Sequence, residues 1–295
     1  MNNMITDAIG FTFEPKPYQY DSPEVILYAL SVGAGQRPTA DSDLRFTYEF
    51  HPDFQPLPTF AAIFPFAILE QMTAAPGLEN VAPMMLLHGE QYLELKRPLP
   101  PSATLINQAT ISQIYDKGRG ALVVADISSR TEAGEEIALN RVSIYVQGAG
   151  GFGGERGPSS RDQHLPPGRP ADVIHKEQTM PNQALLYRLS SGDRNPIHAD
   201  PNIAKMIGFD QPILHGLCTF GFAGRAVLHH FCNDNPGRFH TMQVRFARHV
   251  FPGETIITEM WQQDGQGAAT TIFLRSKVAE RDEVVLSNGI VKLRE

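Results

Sequence analysis

The sequence predicts an α+β protein made of two similar units, each an antiparallel sheet curled around a central helix. Three observations lead there: a Gly/Pro-rich break near the middle of the 295-residue chain, a repeat of sequence style on either side of it, and one segment that is apolar on nearly every face.

The break comes first. From Gly148 to Pro170, 23 residues include seven glycines and four prolines. Such a stretch cannot hold a regular helix or an interior strand, so it reads as a linker. The expected division is an N-terminal unit over residues 1–150, a linker over 151–170 and a C-terminal unit over 171–295.

The repeat comes next. Tyr28-Ala29-Leu30-Ser31-Val32-Gly33 is echoed by Tyr187-Arg188-Leu189-Ser190-Ser191-Gly192, and each phrase ends a helix-like segment that begins near Pro23 or Asn182. Each half then closes in strand-like runs rich in Val, Ile, Thr and Tyr. These cover residues 105–115, 120–129 and 136–146 in the first half, and 256–262, 269–278 and 283–293 in the second. Lys117-Gly118-Arg119-Gly120 and Asp264-Gly265-Gln266-Gly267 are hairpin breaks between runs.

The apolar segment covers residues 215–231, with small residues at Gly216, Ala223 and Gly224. A helix apolar all round needs burial all round, and a sheet wrapped about it provides that.

Composition narrows the function. With 42% apolar and 19% charged residues, the chain is of the globular class. A net charge of −7 without a basic run argues against a nucleic-acid partner. No run of about 18 apolar residues suggests a membrane span. Cys218 and Cys232 are too few for a disulfide framework and fit a reducing compartment. The first residues do not read as a secretory signal and the last are not a peroxisomal tripeptide, so an intracellular location is expected, cytoplasmic or peroxisomal.

The densest polar group is Ser190-Ser191-Gly192-Asp193-Arg194-Asn195-Pro196-Ile197-His198-Ala199-Asp200-Pro201. Gly192, Pro196 and Pro201 forbid a continuous helix, so this is a structured loop. Asp193 and His198 straddle a forced turn, and a carboxylate with an imidazole can orient a water, remove one proton and return another. Asx-turn capping by Asp193 with an exposed His198 is about equally probable on composition alone. Downstream, a helix starting near His215 would leave the Gly216 N–H without an intrahelical partner, free to hold a carbonyl oxygen as it gains charge. Helix packing is the plainer reading of that glycine taken alone.

These blocks together with Pro212-Ile213-Leu214-His215-Gly216-Leu217 resemble the hydratase 2 signature of the MaoC-like (R)-specific enoyl-CoA hydratases. The first half, through Leu86-Leu87-His88-Gly89-Glu90-Gln91-Tyr92-Leu93-Glu94-Leu95, resembles the long members, such as the hydratase unit of the peroxisomal multifunctional β-oxidation enzyme. The resemblance implies a double hot dog fold and hydration of trans-2-enoyl-CoA to (3R)-3-hydroxyacyl-CoA. It also implies catalytic roles for Asp193, His198, Asn195 and Gly216. Substrate contacts are implied at His88, Gly89, Lys117, Arg194, Pro196, Ile197 and Phe246. No cofactor is expected beyond the coenzyme A of the substrate itself, and a homodimer is the expected assembly.

Ala34 and Thr39 stand where the first half would need the acid–base pair, and Ala61 and Ala62 where it would need the glycine. The first half is therefore expected to hold the acyl chain, in a tunnel opened by a broken helix around residues 59–69. No metal is expected, because His198, Asp200, His215, His229 and His230 show no His-x-x-x-His spacing. Ser190 and Ser191 lack a nucleophile elbow, Cys218 lies in the apolar segment, and Arg245, Arg248 and Lys277 read as solvated strand residues. The rival readings are a dehydratase acting on carrier-protein thioesters, a hot dog thioesterase and a non-catalytic acyl-CoA binder.

Overall fold

A computed structural model describes residues 4–36, 41–159, 163–263 and 270–295. In each half one strand precedes the first α-helix and four follow it, and all join one ten-stranded, wholly antiparallel sheet. In the N-terminal half these are β1 (Lys16–Tyr20), β2 (Leu86–Leu95), β3 (Ala103–Asp116), β4 (Gly120–Thr131) and β5 (Glu136–Gln147). The C-terminal half supplies β6 (Val173–Gln178), β7 (Phe239–Phe246), β8 (Thr255–Gln263), β9 (Thr271–Val278) and β10 (Glu283–Leu293). The spatial order is β1-β3-β4-β5-β2-β7-β10-β9-β8-β6, so the second half repeats the first in reverse about the β2–β7 seam. There Tyr92 pairs with Gln243 and Leu93 with Met242.

The six expected runs fall on β3, β4, β5, β8, β9 and β10 as far as their residues are described; β1, β2 and β6 were not anticipated, and of β7 only its end at Arg245 and Phe246 was read as strand. Edge strands β1 and β6 are short; Pro17 interrupts one, and His175, Lys176, Glu177 and Gln178 make the other polar. An edge strand tolerates proline and charge because one side needs no ladder partner. Seam strands β2 and β7 carry polar residues on their buried face as well as their outer one (buried Gln91 and Thr241 beside Glu90, Tyr92, Gln243 and Arg245), which weakens their alternation. The break at Asp264-Gly265-Gln266-Gly267 lies outside the described residues.

Helices α1 (Ser22–Ser31) and α4 (Gln183–Ser191) are the two members of the repeated phrase and pack side by side. The hydroxyls of Ser31 and Ser190 meet at 2.8 Å, and the Gln183 amide donates to the Ser31 carbonyl at 2.7 Å. Short helices α2 (Asp41–Thr47), α3 (Phe66–Leu69) and α5 (Pro201–Ile207) complete the set with α6 (Gly216–Phe231).

Helix α6 is the buried one, with every residue of 217–224 enclosed. A Cβ on Gly221 would fall 2.4 Å from Val32, and one on Gly224 would fall 2.4 Å from Thr59. Small residues there let the end of α1 and the N-terminal interior press onto the helix. Its counterpart is broken into a 3-10 turn (Pro58–Ile63) followed by α3. The carbonyls this break exposes are met by buried asparagines of the sheet: Asn140 donates to Ala61 O and Asn107 to Phe64 O, each at 3.0 Å. Such partners are required, because an unpaired buried carbonyl is costly.

The expected tunnel is not open here. Phe60, Phe64, Tyr18, Tyr20 and Tyr28 fill the space, with ring centroids 5.0–6.4 Å apart. Thr39, named for the missing histidine's place, lies outside the described residues.

The Gly/Pro-rich segment has no helix or strand among its described residues, yet it is docked. The Asp116 carboxylate accepts N–H bonds from Gly118, Gly151 and Gly153, at 2.8, 2.9 and 2.8 Å. These bonds hold its carboxyl below the usual range. Gly157 lies where a side chain would strike the Tyr115 ring. The glycines thus allow the chain to lie flat against the β3–β4 hairpin.

Candidate active site

The Asp193 loop begins where α4 ends on Gly192, whose positive φ of 76° suits a residue without a Cβ. Asp193 and Asn195 then form successive Asx turns: Asp193 Oδ1 accepts from Asn195 N at 3.0 Å, and Asn195 Oδ1 accepts from Ile197 N at 3.2 Å. The second turn caps a 3-10 turn (Pro196–His198), and Asp200 caps α5.

Three hydrogen bonds stitch this loop to the chain entering α6. The Ile213 N–H donates to Ile197 O at 3.3 Å, His198 Nδ1 donates to Ile213 O at 2.8 Å, and His215 Nε2 donates to Asp193 O at 3.4 Å. The His198 bond puts its proton on Nδ1 and leaves the Nε2 lone pair available, the arrangement a base needs. Burial holds this imidazole below its ordinary value, against the opposing pull of the Asp193 carboxylate. His198 is therefore neutral at pH 7.

Both expected catalytic side chains converge. Ligand-type atoms of Asp193, His198 and His215 all lie within 4.8 Å of one another. Such a set could also hold a metal ion. Chain spacing gave no sign of it, because His215 arrives from a different element.

Gly216 is the first residue of α6 and is exposed, whereas His215 is buried. Its N–H lies in the first turn, where no intrahelical acceptor exists and the helix dipole favours negative charge. A Cβ here would approach the Phe246 ring to 3.0 Å. Phe246 in turn meets the edge of the His88 ring at 4.8 Å, so β2 and β7 bring an N-terminal histidine beside the Gly216 turn. Burial pushes the His88 imidazole down to about 4, and its Nε2 has no hydrogen-bond partner among the described residues. Gly89 occupies the bulge between His88 and Glu90.

The other expected contacts divide. Arg194, Asn195 and Pro196 are exposed on the loop and Ile197 is half-buried. The Lys117 ammonium donates to the Arg156 and Pro158 carbonyls of the docked linker and lies 5.5 Å from the Tyr115 ring centroid. Its position in a hairpin did not reveal the linker folding back over it. Sequence reasoning assigned no role to His215, although it sits in the same block as Gly216. Ala34, Ala61 and Ala62 are buried at the corresponding N-terminal positions and offer no acid or base.

Residues 18–148 match the MFE-2 hydratase 2 N-terminal domain and residues 162–284 the MaoC like domain. A protein of Dictyostelium discoideum named probable enoyl-CoA hydratase 2 is 41% identical over 97% of this chain and 95% of its own. The mouse peroxisomal multifunctional enzyme type 2 is 43% identical over 97% of this chain, which spans 38% of that longer protein. Among solved structures, a MaoC-like dehydratase from Phytophthora capsici superposes with a TM-score of 0.85 at 32% identity, covering 99% of both chains.

Proposed function

The chain belongs to the hydratase 2 family of MaoC-like, double hot dog proteins, and on that footing we propose that it hydrates trans-2-enoyl-CoA to (3R)-3-hydroxyacyl-CoA in fatty acid β-oxidation. The observation that carries the reading is the convergence of Asp193 and a neutral His198 beside the open N–H of Gly216. A water held between carboxylate and imidazole loses a proton as its oxygen bonds to C3, and a proton is delivered to C2 on the same face. Gly216 N–H stabilises the thioester oxygen as charge builds on it. Asn195 sets the turn that aims Asp193. Which of the pair is base and which acid belongs to the pair as a whole, because strongly interacting groups share their titration.

The bound substrate brings its own coenzyme A, and the chemistry asks for no further cofactor or metal. His88 and Gly89 of β2 with Phe246 of β7 form the seam side of the thioester pocket, and the exposed Arg194 and Pro196 with half-buried Ile197 flank its mouth. The acyl chain runs toward the broken helix of the N-terminal half, whose aromatic rings turn aside to admit it. Two reduced, buried cysteines and relatives named peroxisomal support an intracellular, peroxisomal or cytoplasmic setting. No described helix is long and apolar enough to cross a membrane. Leu185 and Leu189, 50% and 66% exposed on α4, supply an apolar face for a homodimer. A single-chain mass by light scattering at about ten micromolar would contradict that assembly.

The test is loss of enoyl absorbance on crotonyl-CoA, after chelator treatment, for the wild type, Asp193→Asn and His198→Gln. The wild type keeps its activity through chelation without thiol release. Each variant loses at least about 10²-fold in kcat while its circular dichroism is unchanged. Thiol release in place of hydration indicates a thioesterase. Near-normal turnover by either variant removes that residue from the chemistry.

A further inference from the structure

We propose that His215 is a positioning residue for the acid–base pair, holding the His198 ring by stacking and the Asp193 backbone by its Nε2–H. The inference rests on the reading of Asp193 and His198 given above.

His215 touches both partners from one place. Its ring lies 3.7 Å from that of His198, only 24° from parallel, and its Nε2 reaches the Asp193 carbonyl at 3.4 Å. The Tyr187 ring packs against it at 5.0 Å, so the imidazole cannot easily turn away. The residue is 2% exposed. With Nε2 as donor, Nδ1 is the bare nitrogen, and it is buried without a hydrogen-bond partner among the described residues.

That orphaned acceptor is informative. A buried polar atom left unpaired is destabilising, so a phenyl ring would fill this space at lower cost if filling were the task. The imidazole differs from phenyl in supplying one N–H, and that N–H is aimed at the residue carrying the catalytic carboxylate. Burial and the neighbouring His198 and Arg188 hold His215 well below the usual imidazole range. It therefore adds shape and a donor to the site without adding charge.

The groups around His198 are the Asp193 carboxylate on its own loop and His215 at the start of α6, with Arg188 and Tyr187 of α4 bearing on His215 and Asp193. Of these, His215 covers a ring face. Removing it admits water to that face and relieves the burial that keeps His198 low, so the His198 imidazole rises toward its ordinary value of about 6.5. Since a neutral His198 is the active form, the acid limb of kcat/KM then moves to higher pH.

The experiment compares His215→Phe, His215→Ala and His215→Gln in the full chain with crotonyl-CoA from pH 5 to 9, with thermal melts of each. The Phe protein keeps the covering ring and loses the donor, so its acid limb stays in place while kcat falls about 10-fold, as for loss of one positioning hydrogen bond. The Ala protein loses both, with a larger fall in kcat and an acid limb displaced upward. The Gln protein restores a donor, recovering part of kcat, and leaves the limb displaced. KM changes little in all three. A merely structural role would lower the melting temperature and leave the limb where it is.

Wild-type kcat and an unmoved limb in folded Phe and Ala proteins would overturn the proposal. If the Ala and Gln proteins fail to fold, the Phe protein decides alone, and an undiminished kcat overturns it. Should Asp193→Asn and His198→Gln themselves keep full turnover, the acid–base reading has failed and this proposal falls with it, a result distinct from failure of the His215 variants alone.

Discussion

At Gly216 the proposed chemistry and the packing at the head of α6 meet in one residue. It is exposed at the head of a helix whose next eight residues are buried, and a Cβ there would crowd Phe246. Two substitutions separate donor from space. Gly216→Ala keeps the N–H and asks Phe246 to move by a few tenths of an ångström. Gly216→Pro removes the N–H at a position where proline suits the first helical turn. The Pro protein is expected to lose roughly 10²–10³-fold in kcat, as other oxyanion donors do, and the Ala protein much less, measured on crotonyl-CoA. Equal losses in two folded proteins would assign the glycine to space alone. At this scale the sequence was legible for Asp193, His198 and Gly216, because their blocks lie in one short stretch with forced turns. It was less legible for Lys117 and His215. Their partners, the linker carbonyls and the His198 ring, are brought near by folding and leave no local period.

Among the elements, the contrast that matters is between α6 and its broken counterpart. The apolar run of residues 215–231 announced a buried helix, and the structure places it over Gly216–Phe231 with His215 as its N-cap. In the N-terminal half, Pro58 and Pro65 interrupt the equivalent segment, and Asn107 and Asn140 satisfy the carbonyls it exposes. A broken helix was expected around residues 59–69, and Pro65 stands between its two pieces. The filling of the space by Phe60, Phe64 and three tyrosines was not readable, since Tyr18, Tyr20 and Tyr28 come from β1 and α1. If the acyl chain enters here, these rings yield to it, and each buried methylene adds about 0.8 kcal/mol to binding. Ala62→Trp blocks that path. Activity on decenoyl-CoA is then expected to fall at least about 10-fold more than on crotonyl-CoA, a difference of two methylenes' worth of binding or more. Equal loss on both substrates with a lowered melting temperature would mean that this segment is core and nothing else.

For the whole molecule, one continuous sheet joins an N-terminal unit, in which buried Ala34 stands at the position corresponding to Asp193, to a C-terminal unit that carries Asp193 and His198. The reversed strand order about β2–β7 places His88 and Phe246 on neighbouring strands, so the proposed site draws on both units. The doubling was visible in the repeated Tyr28 and Tyr187 phrases, while the seam was hidden because buried Gln91 and Thr241 interrupt the apolar alternation of β2 and β7. The proposed hydration is tested by incubating the full chain with crotonyl-CoA and separating the hydrated product on a chiral phase. The expected product is (3R)-3-hydroxybutyryl-CoA, formed without free thiol. An (S) product, or no hydration at all by folded protein, would contradict it.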